Sequence, residues 1–222
     1  MFGRQVEDRI FRRAVPLRER LTVSALEAVL ALRNIQHTYV PDLKLVLGVD
    51  NGAVLSPARG AAAARALASE AAPAGLASAD IFVEPPQSGD AAESSAVAAR
   101  QALRLQGLGV ALREAGEGID PGEDAENLLV VIDGGWFRTV ARQDSTAQLF
   151  GALVHGYHLN GATVWVEGIE LAGQLRVAIR AGVDWVSGPL IAPAALAGAV
   201  FPEEARPLDA LLDERRVIPL FR

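Results

Sequence analysis

Residues 161–193, GATVWVEGIELAGQLRVAIRAGVDWVSGPLIAP, restrict the possible folds more than any other stretch of this chain. Residues 163–166 form a short run of β-branched and aromatic side chains, which predicts a buried strand. Glu167 and Gly168 end that run, and glycine suits a tight exit. A helical pattern follows over 169–181, with Leu171, Leu175 and Ile179 recurring every four residues to predict one apolar stripe. Gly182 stops the helix. Residues 184–187 open a second strand, closed by Gly188 and Pro189. Two strands joined through a helix in so short a span make a right-handed crossover in a parallel sheet. Glu167 and Ser187 then stand side by side at the carboxyl ends of their strands, where α/β folds place their chemistry.

The same alternation runs through most of the chain. Apolar runs at 43–49, 79–84, 108–112 and 128–132 predict four more strands, each left through Gly, Pro, Asp or Asn or a charged segment. Between and around them, helices are predicted from 22 or 24 to 34, and over 57–71, 92–105, 136–140 and 146–159. Ser24 with Glu27 has the spacing of a capping box, and Leu26, Val29, Leu30 and Leu32 supply an apolar face. Val6, Ile10, Phe11 and Ala14 mark a short helical face that Pro16 interrupts. Leu208, Leu211 and Leu212 have the spacing of a terminal helix. The link between 112 and 128 reads as loop, with Asp120, Glu123, Asp124 and Glu126 as solvated charge rather than a cation loop. Six strands in alternation with helices give an α/β fold, either an open doubly wound sheet or a TIM-type barrel. There is no Gly-rich dinucleotide loop and no GxxxxGK loop, which weighs against the doubly wound nucleotide-binding form.

Composition narrows the functional classes. With 21 basic against 27 acidic residues and a formal charge of -6, the chain has no general nucleic-acid surface. The basic residues among the first twenty are mixed with acidic ones and read as a solvated face. The chain contains no cysteine, so disulfides, thiol catalysis and cysteine-ligated metals are excluded. No apolar stretch reaches the ~20 residues of a membrane span, and the N-terminus does not read as a signal peptide. A soluble, cytoplasmic protein is the resulting expectation. His155 and His158 lie within one helical pattern and read as surface or packing histidines, not as a metal pair. Trp165 and Trp185 sit inside strand runs and read as core.

The strand ends, taken together, resemble a known family. Residues 164–170, VWVEGIE, are similar to the V-A-E-G-V-E segment of the EAL domain family, the bacterial cyclic di-GMP phosphodiesterases and their inactive relatives. GVDWVSGPL at 182–190 resembles its G-x-D-x-x-Q-G segment, and LVVIDGGWF at 129–137 its K-I-D-x-x-F segment. LGVALREAGEG at 108–118 stands where the family has A-L-D-D-F-G-x-G. IFVE at 81–84 matches its L-E-I-T-E strand, and LGVD at 47–50 its S-V-N strand. All six segments keep the family order.

The resemblance implies a modified TIM-type (β/α) barrel, truncated and without the family's first strands. It divides the chain into an N-terminal extension (1–20), the EAL-like barrel (21–200) and a C-terminal segment packing on it (201–222). Hydrolysis of this kind needs clustered oxygen ligands for divalent cations and an activated water. Carried over position by position, the family's Asn becomes Asp50 and its strand Glu survives as Glu84. The paired Asp become Arg113 and Glu114, the Lys becomes Val131, the Glu before Gly survives as Glu167, and the Gln becomes Ser187. A guanidinium cannot ligate a cation, and an aliphatic side chain cannot activate water. The expectation is therefore a degenerate relative without phosphodiesterase activity. It would act as a regulatory or scaffolding protein through a protein partner or self-association, with no metal or other cofactor. The alternatives are a cyclic di-GMP-binding effector without hydrolysis and a residual metal-dependent phosphodiesterase. Arg113, Glu84, Glu167, Asp50 and Ser187 would form the vestigial nucleotide pocket, with Trp136 or Trp165 available to stack on guanine. In the pocket's idle form, Arg113 pairs with Glu84 and Glu167. Asp133 is expected to cap the turn after its strand through the amide of Gly135 or Trp136.

Overall fold

The computed structural model describes residues 16–35, 43–48, 57–85, 93–116, 118–119, 127–192 and 206–213. The predicted helical face at 6–14, Asp50, and the acidic run at 120–126 lie outside the described residues. The chain divides into two compact units, Met1–Val110 and Ala111–Arg222.

The first unit begins with helix α1 (Leu17–Ile35), followed by strand β1 (Leu45–Gly48), helix α2 (Pro57–Ala71), strand β2 (Ile81–Glu84) and helix α3 (Glu93–Arg104). β1 and β2 pair in parallel from Leu45 opposite Ile81 to Gly48 opposite Glu84. β2 pairs in parallel with the start of β3 (Gly109–Glu114), Phe82 opposite Gly109 and Val83 opposite Val110. Gly109 is required there, because the Phe82 ring occupies the space a Cβ would take. Ile81, Phe82 and Val83 are buried, together with Leu32, Leu67 and Leu103 from the helices. Arg33 and Glu70 form a paired contact between α1 and α2 at the surface, and Lys44 and Asp80 pair beside the strands.

In the second unit, β3 continues to Glu114, and strand β4 (Leu128–Ile132) leads into helices α4 (Gly134–Val140) and α5 (Asp144–Leu159). Strand β5 (Thr163–Val166), helix α6 (Ala172–Ala181), strand β6 (Trp185–Val186) and helix α7 (Leu208–Leu212) follow. β5 pairs in parallel with β4 on one side and β6 on the other. β4 is buried at every position, as befits a central parallel strand with both faces covered. Phe137 and Phe150 pack with ring centroids 5.1 Å apart and join α4 to α5. The Arg176 guanidinium donates to the Leu212 carbonyl at 3.1 Å, tying α7 to α6.

The strand order is β1-β2-β3-β4-β5-β6. Among the described residues this is the strand–helix repeat of a TIM-type barrel with fewer strands than the full barrel has. All six predicted strands are present, and β4 and β5 have the bounds read from the sequence. Two helix faces differ from expectation. α1 starts at Leu17, so Ser24 is inside the helix and buried rather than capping it. Its buried stripe is Ser24, Ala28 and Leu32, while Leu26 and Leu30 are each 57% exposed. α6 begins at Ala172, not 169, and buries Ala172, Leu175, Val177 and Ala178; Leu171 and Ile179 are exposed. In both helices small side chains face inward, where they let the helix approach its neighbours closely. Among the described residues, no helix is long and apolar enough to cross a membrane.

Candidate functional site at the strand ends

Alternation along a strand sends successive side chains to opposite faces. Arg113 and Glu114, the last two residues of β3, therefore part company. The Arg113 guanidinium donates through Nη1 to Glu167 Oε2 at 2.6 Å, across the exits of β3 and β5. Both side chains remain partly open, Arg113 at 31% and Glu167 at 29% exposure.

Glu114 turns the other way and is only 1% exposed. Its Oε2 accepts the Tyr157 hydroxyl at 2.8 Å, and its Oε1 accepts the amides of Gly116 and, at 3.2 Å, Gly118. Burial by itself pushes this carboxyl upward. The Tyr157 hydroxyl and the amides of Gly116, Gly118 and Ile119 outweigh it and hold the group below the usual carboxylate range. Burial, followed by the hydrogen bond to Glu114, keeps the Tyr157 phenol well above its ordinary value. Glu114 is thus a brace between the loop after β3 and helix α5. No sequence signal points to it, since Tyr157 lies 43 residues away.

The face that carries Glu167 can be read from the register. Val131 stands opposite Trp165, and Trp165 opposite Trp185. Glu167 and Ser187 each lie two positions further along their strands, and the Trp165 indole donates to the Ser187 hydroxyl at 3.1 Å. Val131, Trp165, Glu167, Trp185 and Ser187 therefore share one face. Val131 is fully buried, while both tryptophans are partly exposed rather than enclosed in the core.

Glycine sets the shape of these exits. A Cβ on Gly134 would stand 2.7 Å from the Glu167 carbonyl oxygen. A Cβ on Gly188 would collide with the backbone nitrogen and oxygen of Ile169. Gly168 adopts φ 71°, which an L side chain rarely takes up. Gly116 lies against the indole of Trp136, which meets the Phe150 ring edge-on at 6.1 Å. The Asp133 carboxylate accepts the Trp136 amide at 2.9 Å and caps α4, as the sequence indicates.

The predicted pocket residues thus have different standings. Arg113 and Glu167 meet, and Ser187 occupies the neighbouring exit. Glu84 ends β2 in the first unit, half-buried. Asp50 lies outside the described residues. His158 is held within 2.9 Å of Asp184, whose carboxylate also accepts the Val164 amide at 2.7 Å. That contact is at the amino-terminal ends of β5 and β6, away from the strand exits. Sequence spacing alone left His158 without an acidic neighbour; the fold supplies one.

No family model and no curated protein sequence matches the chain. Solved structures do. A standalone EAL protein from Vibrio cholerae, in a form bound to cyclic di-GMP, is 16% identical with a TM-score of 0.68, covering 87% of this chain and 83% of that one. The FimX EAL domain of Xanthomonas citri, in complex with cyclic di-GMP, is 16% identical with a TM-score of 0.64, over 82% of this chain and 74% of that one. BlrP1 of Klebsiella pneumoniae, as a manganese and cyclic di-GMP complex, is 15% identical with a TM-score of 0.67, over 82% of this chain and 46% of that one. The chain has the fold of the EAL domain proteins.

Proposed function

We propose that this EAL-fold chain is a regulatory protein that binds and does not hydrolyse. The Arg113–Glu167 ion pair carries the reading. A divalent cation at these strand ends would need Glu167 as an oxygen ligand and would be repelled by a guanidinium 2.6 Å from that oxygen. Val131, buried and aliphatic, stands where the resemblance calls for a lysine that orients water. Glu114 faces Tyr157 and the loop amides. These residues do not fit a paired-cation centre. The regulatory action is contact with a protein partner or a second copy of the chain. The leucines exposed on α1, Leu26 and Leu30, fit that role.

A second reading is a cyclic di-GMP effector in a cytoplasmic signalling system. Arg113 and Glu167, paired across the exits of β3 and β5, with Trp165 in β5 and Ser187 after β6, favour it, because they offer a cation, hydrogen-bonding groups and an aromatic surface. Similar folds bound to cyclic di-GMP support it as well.

The test is incubation with cyclic di-GMP and magnesium or manganese, followed by chromatography of the products. No linear dinucleotide is expected. Metal-dependent product that disappears in Glu167→Ala would overturn the reading.

A further inference from the structure

We infer that Glu167 is an internal competitor for an anion at Arg113, so that the ion pair acts as an autoinhibitory contact on the site. The inference rests on the effector reading above only for the identity of the natural anion. It comes from the geometry of the pair. The Glu167 carboxylate holds Arg113 Nη1 at 2.6 Å, a charge-assisted contact of the kind a phosphate oxygen also makes. Both partners are about a third open to solvent, so a solute reaches them without unfolding anything. Glu167 cannot withdraw far by backbone movement. Its amide is bonded to the Ile132 carbonyl, and Gly134 is packed against its carbonyl oxygen. Exchange must therefore occur by rotation of the side chains alone.

A phosphate or phosphodiester entering this site takes the place of the Glu167 carboxylate on the guanidinium. The ligand is an anion carrying oxygen acceptors, with Trp165 in the strand before Glu167 and Ser187 at the next exit to meet whatever the phosphate bears. Such exchange has a signature opposite to that of a metal centre. Where Glu167 holds a cation that in turn holds the phosphate, neutralising Glu167 weakens binding. Where Glu167 competes for Arg113, neutralising it strengthens binding. Partly exposed ion pairs are weak, which sets the expected gain at about 1.5- to 5-fold in affinity.

The experiment is isothermal titration in EDTA of the full chain, Glu167→Gln, Arg113→Gln and the double variant, with cyclic di-GMP and separately with inorganic pyrophosphate. Circular dichroism melts show that each variant is folded; Glu167→Ala replaces Glu167→Gln, and Arg113→Met replaces Arg113→Gln, wherever either is not. Glu167→Gln is expected to bind both probes about 1.5- to 5-fold more tightly than the wild type, and Arg113→Gln about tenfold or more weakly. The double variant should resemble Arg113→Gln, because the competitor matters only while Arg113 is present. Cyclic di-GMP binding that is unchanged or weakened in Glu167→Gln overturns the inference and leaves the effector reading standing. Pyrophosphate binding that strengthens in Glu167→Gln, with no heat from cyclic di-GMP in any variant, retains the exchange and removes the effector reading. No heat from either probe in any variant overturns both.

Discussion

Glu114 and Arg113 are neighbours in sequence with opposite roles, and strand alternation is the cause. The resemblance sets them together as replacements for a pair of acids, but only one of them reaches the partly exposed site. Glu114 is bonded instead to Tyr157 and the amides of the loop after β3. Tyr157→Phe is expected to destabilise the chain by ~1–3 kcal/mol, as loss of a hydrogen bond to a buried charge does; urea denaturation measures it. The pH dependence has a definite sign. Glu114 has a depressed folded-state value, so the unfolded chain takes up its proton first as pH falls. Its contribution is fully present above the ordinary carboxylate range near ~4.3 and is lost as pH falls through the folded-state value. Denaturation midpoints of the wild type are expected to fall through that window more steeply than those of Glu114→Gln. Equal slopes would deny Glu114 this role.

At the scale of elements, the exits of β4 and β6 are backbone-to-backbone contacts made possible by Gly134 and Gly188. Gly161 isolates one of two costs that glycine substitutions usually mix, and Gly188, at φ 146°, adds the second to the first. Gly161 adopts φ 79° with open space where an added methyl would stand, so Gly161→Ala is expected to cost only the ~1–2 kcal/mol of left-handed backbone. Gly188→Ala drives its methyl into the Ile169 backbone, which cannot yield as a side-chain tip does. That variant is expected to lose more than ~3 kcal/mol or fail to accumulate folded protein. Denaturation of the two side by side decides the matter; similar midpoints would mean that the β6 exit is not closely packed. The helix cap is a smaller effect. Asp133→Ala removes the acceptor of the Trp136 amide and is expected to cost about 0.5–2 kcal/mol by the same measurement.

At the scale of the whole molecule, the proposed function makes a thermodynamic claim. A ligand that binds only the folded chain raises its stability by RT ln(1 + L/Kd), where L is the free ligand concentration. Millimolar magnesium or manganese is expected to leave the thermal midpoint where EDTA leaves it, because Arg113 already holds Glu167. A metal-dependent rise that Glu167→Ala abolishes would restore a cation to the site. The architecture itself was largely legible. Glycine-terminated apolar runs and crossover helices identified six strands in order, and the bounds of β4 and β5 needed no adjustment. The helix faces were less legible. Large apolar residues dominate a periodicity reading, whereas Ser24, Ala28, Ala172 and Ala178 occupy the buried sides.

The sequence by itself determined the succession of strands and helices and placed Arg113, Glu167 and Ser187 at strand ends, because these depend on local periodicity and on where glycine and proline interrupt it. Only the tertiary structure decided which of those side chains meet. Arg113 reaches Glu167 across 54 residues of chain, and Glu114 reaches Tyr157 across 43. Such contacts follow from strand register and from which face each residue presents, and neither is encoded within a local stretch of sequence.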